Sequence, residues 1–268
     1  MKKIIIYILF TILLFQLAIG QSNVSLDMVE YLQADQFDID SLKNILGVSH
    51  INEGNWDVER EELGGIMIWN YFEREIDFDT KQFLLEYQDQ TDFADYEVSI
   101  LYNLQGSLVT IINKVSFRES ELLVRKTSEE SKLFFSDYNA KYHTNINRRK
   151  VRGDFLKLFE FGSACGVGGS ATEMFSLMLR AVNAKKINKL NNWLRSPNIN
   201  LRLFGAVGIL WLSYDGRLIE SQEKEIIRSL WEENYSINSC SGCSPETSTI
   251  EELLDKEQLK YIYEQYKK

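Results

Sequence analysis

Residues 96–115 read YEVSILYNLQGSLVTIINKV, and whether they form strand or helix decides the fold class. Val98, Ile100 and Tyr102 alternate with Glu97, Ser99 and Leu101. A period of two sends successive side chains to opposite faces, which suits a half-buried antiparallel strand. Leu108–Val115 is a second apolar run of strand length, and Gln105-Gly106 between the two is a turn signal. The expectation is a hairpin through Asn103–Ser107. Helix across the same span would leave an all-α chain.

Upstream, the same texture extends back to Asn55 and forward to about Val124. Ile66–Phe72 and Gln82–Tyr87 have strand length, and Gly64-Gly65, Asp77–Thr80 and Asp89–Asp95 separate the runs. A meander of four or five strands is expected. Residues 26–47 precede it as one or two short helices, with Asp40 as an N-cap before Leu42, Ile45 and Leu46.

Downstream the period changes. SEESKLFFSDYNAKY (128–142) and RRKVRGDFLKLFEFG (148–162) read as helical. A Gly-rich break, GSACGVGG at 162–169, follows. Beyond it the chain reads as almost all helix: Thr172–Asn183, Lys185–Arg195, Asn200–Ser213, Gln222–Glu233 and Ile250–Lys267. Asp215-Gly216 is a turn signal and Ser221 suits an N-cap. Short connectors imply antiparallel neighbours. The fold class is therefore α+β: an N-terminal antiparallel β meander with short helices (21–128), then a C-terminal antiparallel helical bundle (129–268).

Residues 1–20, MKKIIIYILFTILLFQLAIG, stand apart. Lys2 and Lys3 precede an apolar run from Ile4 to Phe15, and Ala18 and Gly20 place small residues ahead of Gln21. That is the pattern of a secretory signal peptide, and the run is short for a membrane-spanning helix. The expected address is periplasmic or secreted, with no membrane attachment after cleavage. Cleavage would take the formal charge from −9 to −11 by removing Lys2 and Lys3. With 30 Lys plus Arg against 39 Asp plus Glu, no nucleic-acid binding is expected.

The chemistry-bearing residues are few. Cys240-Ser241-Gly242-Cys243 can be a reducible disulfide or a metal-binding pair. Helices are expected on both sides, without the preceding strand of a thioredoxin-like motif, so a structural bond is the better reading. Three cysteines cannot all pair within one chain. Export favours pairing, and Cys165 is expected close to the Cys240–Cys243 loop, with one of those two bonded to it. A zinc site of Cys165, Cys240 and Cys243 would need a fourth ligand, and His143 is nearest in sequence. His50 is the other histidine, so a multi-histidine site cannot form.

The Gly-rich loop runs into the helix near Thr172. Its amides could hold an anion, but no Gly-Lys-Ser/Thr follows, and Ser170 or Thr172 serves as a plain N-cap with Glu173 favoured by the helix dipole. Residues 53–97 hold fourteen acidic groups, Asp77, Asp79, Asp92 and Asp95 among them, without EF-hand spacing. They read as a solvated acidic strand face. Arg148, Arg149, Lys150 and Arg152 read as a solvated helix face. No Gly-x-Ser-x-Gly, His-Glu-x-x-His or GxGxxG occurs. No catalytic residue, cofactor or metal is expected.

Ile187–Leu212 resembles one HEAT-type helical repeat. Trp193-Leu194 ends a first helix, Pro197 sits in the turn, Arg202 follows it, and Ala206 and Leu210 face inward on a second helix. Pro197 stops the first helix, and Gly205, Ala206 or Gly208 permits close approach of the second. Trp193, Leu194, Leu203, Leu210 and Trp211 are expected in the helical core. One such repeat needs neighbours to bury its face. The resemblance implies a scaffold for protein binding. The leading functional reading is an exported, non-enzymatic interaction protein. The rivals are a thiol–disulfide oxidoreductase using Cys240 and Cys243, and an inhibitor or immunity-type partner of a secreted protein.

Overall fold

The computed structural model describes residues 31–32, 38–45, 62–63, 66–90, 93–116, 119–127, 129–147, 159–165, 169–233, 235–242 and 244–266. The signal segment 1–20, Gly64-Gly65, Asp92, the basic run 148–152 and Cys243 lie outside them.

The decisive stretch is a hairpin. β4 (Asp95–Asn103) and β5 (Gly106–Ser116) pair antiparallel, with Val98 opposite Ile112 and Tyr102 opposite Ser107. Asn103 Oδ1 accepts the Gln105 amide at 2.9 Å. Gly106 has φ 120°, a conformation that glycine adopts at no steric cost. β1 (Glu62–Leu63), β2 (Ile66–Asp77), β3 (Thr80–Asp89) and β6 (Glu119–Thr127) complete an antiparallel sheet in the order β1-β2-β3-β4-β5-β6. The meander thus has six strands, more than the four or five expected.

This sheet is covered on both faces. On one, Phe83, Leu85, Val98, Ile100 and Ile112 pack with Leu42 of α1 (Ile39–Ile45). On the other, Leu101, Val109 and Ile111 pack with Phe134, Phe135 and Tyr138 of α2 (Glu130–Tyr142). Hence the span 98–102 is buried without a break, not half-buried as alternation alone suggested. The second cover comes from a helix far along the chain, which a local pattern does not carry. The cap of α1 is Asp38, two residues earlier than the expected Asp40. Its carboxylate accepts the amides of Asp40 at 3.3 Å and Ser41 at 3.1 Å.

The helical part contains α3 (Glu173–Asn183), α4 (Ile187–Leu194), α5 (Ile199–Tyr214) and α6 (Ser221–Glu233). Thr172 caps α3, accepting the Phe175 amide at 3.2 Å. Asn198 caps α5, accepting the amides of Asn200 and Leu201 at 3.1 and 3.2 Å. Every residue of α5 from Ile199 to Val207, and on to Ile209, is buried. Such all-round burial marks a central helix. At Gly205 a Cβ would meet Leu190 O at 2.8 Å, so only glycine lets α4 lie this close. Leu194, Leu203 and Trp211 are buried as expected, whereas Trp193 and Leu210 are only partly so. Leu210 lies between buried Ile209 and buried Trp211, on the one face of that turn that its neighbours cover only in part.

Three expectations fail: helix across 148–162, an irregular connector around Cys240, and one unbroken C-terminal helix. Phe161 and Gly162 belong to a strand, β7 (Phe161–Cys165). The polar stretch after α6 is strand too: β8 (Ser236–Gly242) runs parallel to β7 and β9 (Ser244–Thr249) antiparallel to β8. This small sheet has little apolar alternation and is held by pairing at long range. The C-terminal helix is also broken, into α7 (Ile250–Leu253) and α8 (Lys256–Tyr266).

Candidate functional site

The small sheet positions the cysteines. β7 and β8 pair Ala164 with Ser241 and Cys165 with Gly242. A Cβ on Gly162 would strike the Cys240 carbonyl, so the close approach of these strands requires glycine there. Cys165 and Cys240, 75 positions apart in sequence, form a disulfide with Cα atoms 5.5 Å apart, within the span a bridge allows. Cys165 also donates its amide to Ser170 O at 2.7 Å. Thr172 Oγ1 donates to Gly162 O at 3.2 Å, tying the start of α3 to the same strand. Cys240 therefore lies on a strand, where the sequence had suggested an irregular loop between helices. With the sulfurs of Cys165 and Cys240 joined, neither supplies a thiolate to zinc. Glu160 stands near them, its Oε2 3.8 Å from Cys165 Sγ. His143 closes α2 in the left-handed conformation and is exposed.

Beside the disulfide lies a cavity of about 420 Å³. Its apolar lining includes Phe175 from α3, Val207 and Trp211 from α5, and Leu259 and Ile262 from α8. Its polar lining is Ser163, Ser239, Ser248 and Glu252. The Ser239 and Ser248 hydroxyls share a hydrogen bond of 2.6 Å. Trp211 donates its indole N–H to Leu259 O at 3.2 Å and packs edge-on against Phe175. Glu252 belongs to a capping box: Glu252 Oε2 accepts the Thr249 amide at 2.8 Å, and Thr249 Oγ1 accepts the Glu252 amide at 3.3 Å. The exposed carboxylate is thus fixed in place by the backbone.

Two other constellations are charged. At the end of β2, Asp77 accepts Lys141 Nζ at 2.9 Å and the Tyr142 hydroxyl. Arg202, wholly buried on α5, donates to the hydroxyls of Tyr142 at 2.9 Å and Tyr138 at 2.8 Å and to Ser196 O at 3.1 Å. Burial pushes both phenols up, and Arg202 opposes it. Burial works to lower Arg202, and the two tyrosines and Asp77 outweigh it, so the guanidinium stays charged. The second constellation centres on Glu73, which bonds Lys43 and Tyr102 and lies 3.9 Å from Lys81. Burial acts to raise Glu73, but Lys43, Tyr102 and Lys81 overcome it, holding the carboxyl below its usual range. A cleft of about 400 Å³ opens over it. Glu73 and Asp77 are therefore buried ion-pair members, not parts of a solvated acidic face, while Asp79 and Asp95 are exposed. Charge alone did not reveal which acids would meet Lys43, Lys141 and Arg202.

The cavity beside Cys240 is the place with the mixture of apolar walls and a few fixed polar groups that small ligands and anchoring side chains use. The sequence named Trp211 only as core, and Phe175 falls within the expected helix Thr172–Asn183. Thr249-x-x-Glu252 was the one local signal for the polar side, as a capping-box pattern. No family model, curated protein or solved structure matches the chain. Among the described residues, no helix is long and apolar enough to cross a membrane.

Proposed function

We propose that this is an exported, non-enzymatic interaction protein whose helical part serves as a scaffold. The observation that carries the reading is the Cys165–Cys240 bond beside the cavity walled by α3, α5 and α8. A bond between residues so distant in sequence acts as a tether that fixes one wall of a binding cavity, and such bonds persist in oxidising compartments. The resemblance of Ile187–Leu212 to a HEAT-type repeat supports the scaffold reading, since α4 and α5 pack closely through Gly205. Use of Cys240 in that tether favours a structural role over the thiol–disulfide oxidoreductase built on Cys240 and Cys243.

The test has two parts. The full chain, expressed in a bacterium with an outer membrane, should be recovered outside the cytoplasm with a mass beginning at Gln21. Retention of Met1 in the cytoplasmic fraction would overturn export. The purified protein should leave insulin disulfides unreduced in the presence of a dithiol donor. Catalytic turnover there would replace the interaction reading with the oxidoreductase.

A further inference from the structure

We propose that the groove between the β2–β3 and β4–β5 hairpin tips docks a basic segment of a partner protein, an extended stretch in which Lys or Arg flanks large apolar side chains. The groove shares no lining residue with the cavity beside Cys240, so the inference goes beyond the reading above.

The apolar anchors are open to solvent. The meander places the two hairpin turns at the same end of the sheet. Asp77 pairs with Thr80, so Phe78 and Asp79 form a two-residue turn, with φ 51° and 54°. Asn-Gly is the favoured pair for such a turn, and a bulky side chain is uncommon there. The Phe78 ring is nonetheless held in place, edge-on to Phe134 at 6.3 Å and with Lys141 Nζ 5.3 Å above it. It remains 42% exposed, and Leu104 at the next hairpin tip is 95% exposed. Both line one cleft of about 420 Å³. A second cleft of about 400 Å³ adjoins it, sharing Asp79, Lys81 and Leu104, and reaches back to α1. Two open clefts in a row suit an extended chain better than a compact small molecule.

Charge sets the partner. Seven carboxylates line the two clefts, against Lys43 and Lys81. Both of these lysines already face Glu73, and the neighbouring Lys141 pairs with Asp77 and Glu233. Asp40, Glu75 and Asp79 are exposed and form no salt bridge among the described residues. Their carboxylates do not gather as metal ligands do: among the described residues the one close group of possible ligands is at Glu160, Cys165 and Cys240. Acids spread beside two exposed apolar side chains complement a chain that carries cations on either side of its own apolar residues.

The experiment uses the disulfide-bonded full chain and three labelled peptides, followed by fluorescence anisotropy. They are Gly-Lys-Phe-Lys-Leu-Lys-Gly, its Glu-for-Lys counterpart, and Gly-Lys-Ser-Lys-Ser-Lys-Gly. The first should bind about tenfold or more tighter than either of the others. Asp40→Asn, Glu75→Gln and Asp79→Asn together should weaken it about tenfold, the sum of three exposed charge pairs. Asn tolerates the left-handed backbone at position 79, so the turn is kept. A control with Glu225→Gln, Glu257→Gln and Glu264→Gln removes the same charge elsewhere and should leave binding unchanged. Leu104→Ser, at an exposed turn position, should weaken binding about fivefold or more. Equal binding of the Lys-Phe and Lys-Ser peptides would mean general attraction to an acidic protein and overturn the proposal. Equal losses in the two triple variants, or no binding of the first peptide, would overturn it too. Self-association in the ultracentrifuge that Leu104→Ser abolishes would give the groove to a second copy instead. None of these outcomes bears on export or insulin reduction, so failure of the groove is separable from failure of the interaction reading.

Discussion

Arg202 on α5 and Asp77 at the end of β2 face each other at 3.8 Å, joining the helical block to the large sheet through a wholly buried guanidinium. Tyr142 stands between them, donating to Asp77 and accepting from Arg202. In a buried network the cost of an unpaired charge exceeds the value of the pair. Arg202→Leu should therefore lower unfolding stability by about 3–5 kcal/mol, because Asp77 and two phenols lose their common partner. Urea unfolding decides it. A change below about 1 kcal/mol would mean that the network does not hold the two parts together.

Glu73 gives a pH dependence with a definite sign. Its folded carboxyl titrates below 4.5, its ordinary value, because Lys43, Tyr102 and Lys81 favour the charged form against burial. A depressed acid contributes stability above its unfolded value and loses it as pH falls through the folded one. Wild-type stability should therefore decline on acidification below about pH 4.5, and Glu73→Gln should flatten that decline while lowering stability at pH 7. A Gln variant with the wild-type acid slope would show that other carboxylates govern it, Glu223 beside Arg217 being the next candidate.

Gly205 separates helix propensity from packing. In an exposed helix, glycine to alanine gains about 1 kcal/mol. Here the added methyl meets Leu190 O at 2.8 Å and the Leu194 backbone. Gly205→Ala should instead destabilise by about 1–3 kcal/mol, the usual cost of overpacking. A stabilised variant would mean that α4 can retreat from α5 without loss.

The same helix shows what the sequence carried and what it did not. Alternation in Tyr96–Tyr102 and the Gln105-Gly106 turn were local signals, and the hairpin follows them. Trp211 and Leu203 were legible because apolar residues crowd α5. Leu210 was not: it stands between buried Ile209 and buried Trp211, and which face of that turn stays partly open depends on the tertiary neighbours of α5. β7 to β9 were illegible for the same reason: Ser236–Gly242 has no apolar period, and its strand form comes from pairing with residues far away. The cavity inherits this, being built between a helix core the sequence showed and a sheet it hid. Accordingly Leu203→Ala should cost about 2–5 kcal/mol and Leu210→Ala clearly less, measured side by side in urea. Equal costs would return Leu210 to the core.

The disulfide carries the last prediction. Cys165 and Cys240 enclose a separation of 75 residues. Closing a loop of that size removes unfolded-state freedom worth about 4 kcal/mol in the chain-entropy account. Reduction, or the double change Cys165→Ser with Cys240→Ser, should lower stability by about that amount and weaken the β7–β8 pairing that walls the cavity. Cys243→Ser should leave stability within about 0.5 kcal/mol of wild type, the usual span for a change that breaks no such feature. Thiol counting gives an independent check, because the bond uses two of the three cysteines. A denatured, unreduced sample should titrate a single thiol, lost in Cys243→Ser. If that variant instead leaves a thiol on Cys165, the stable bond joins Cys240 to Cys243. It would then close almost no loop and contribute little stability, and a redox role would become the better account of the motif.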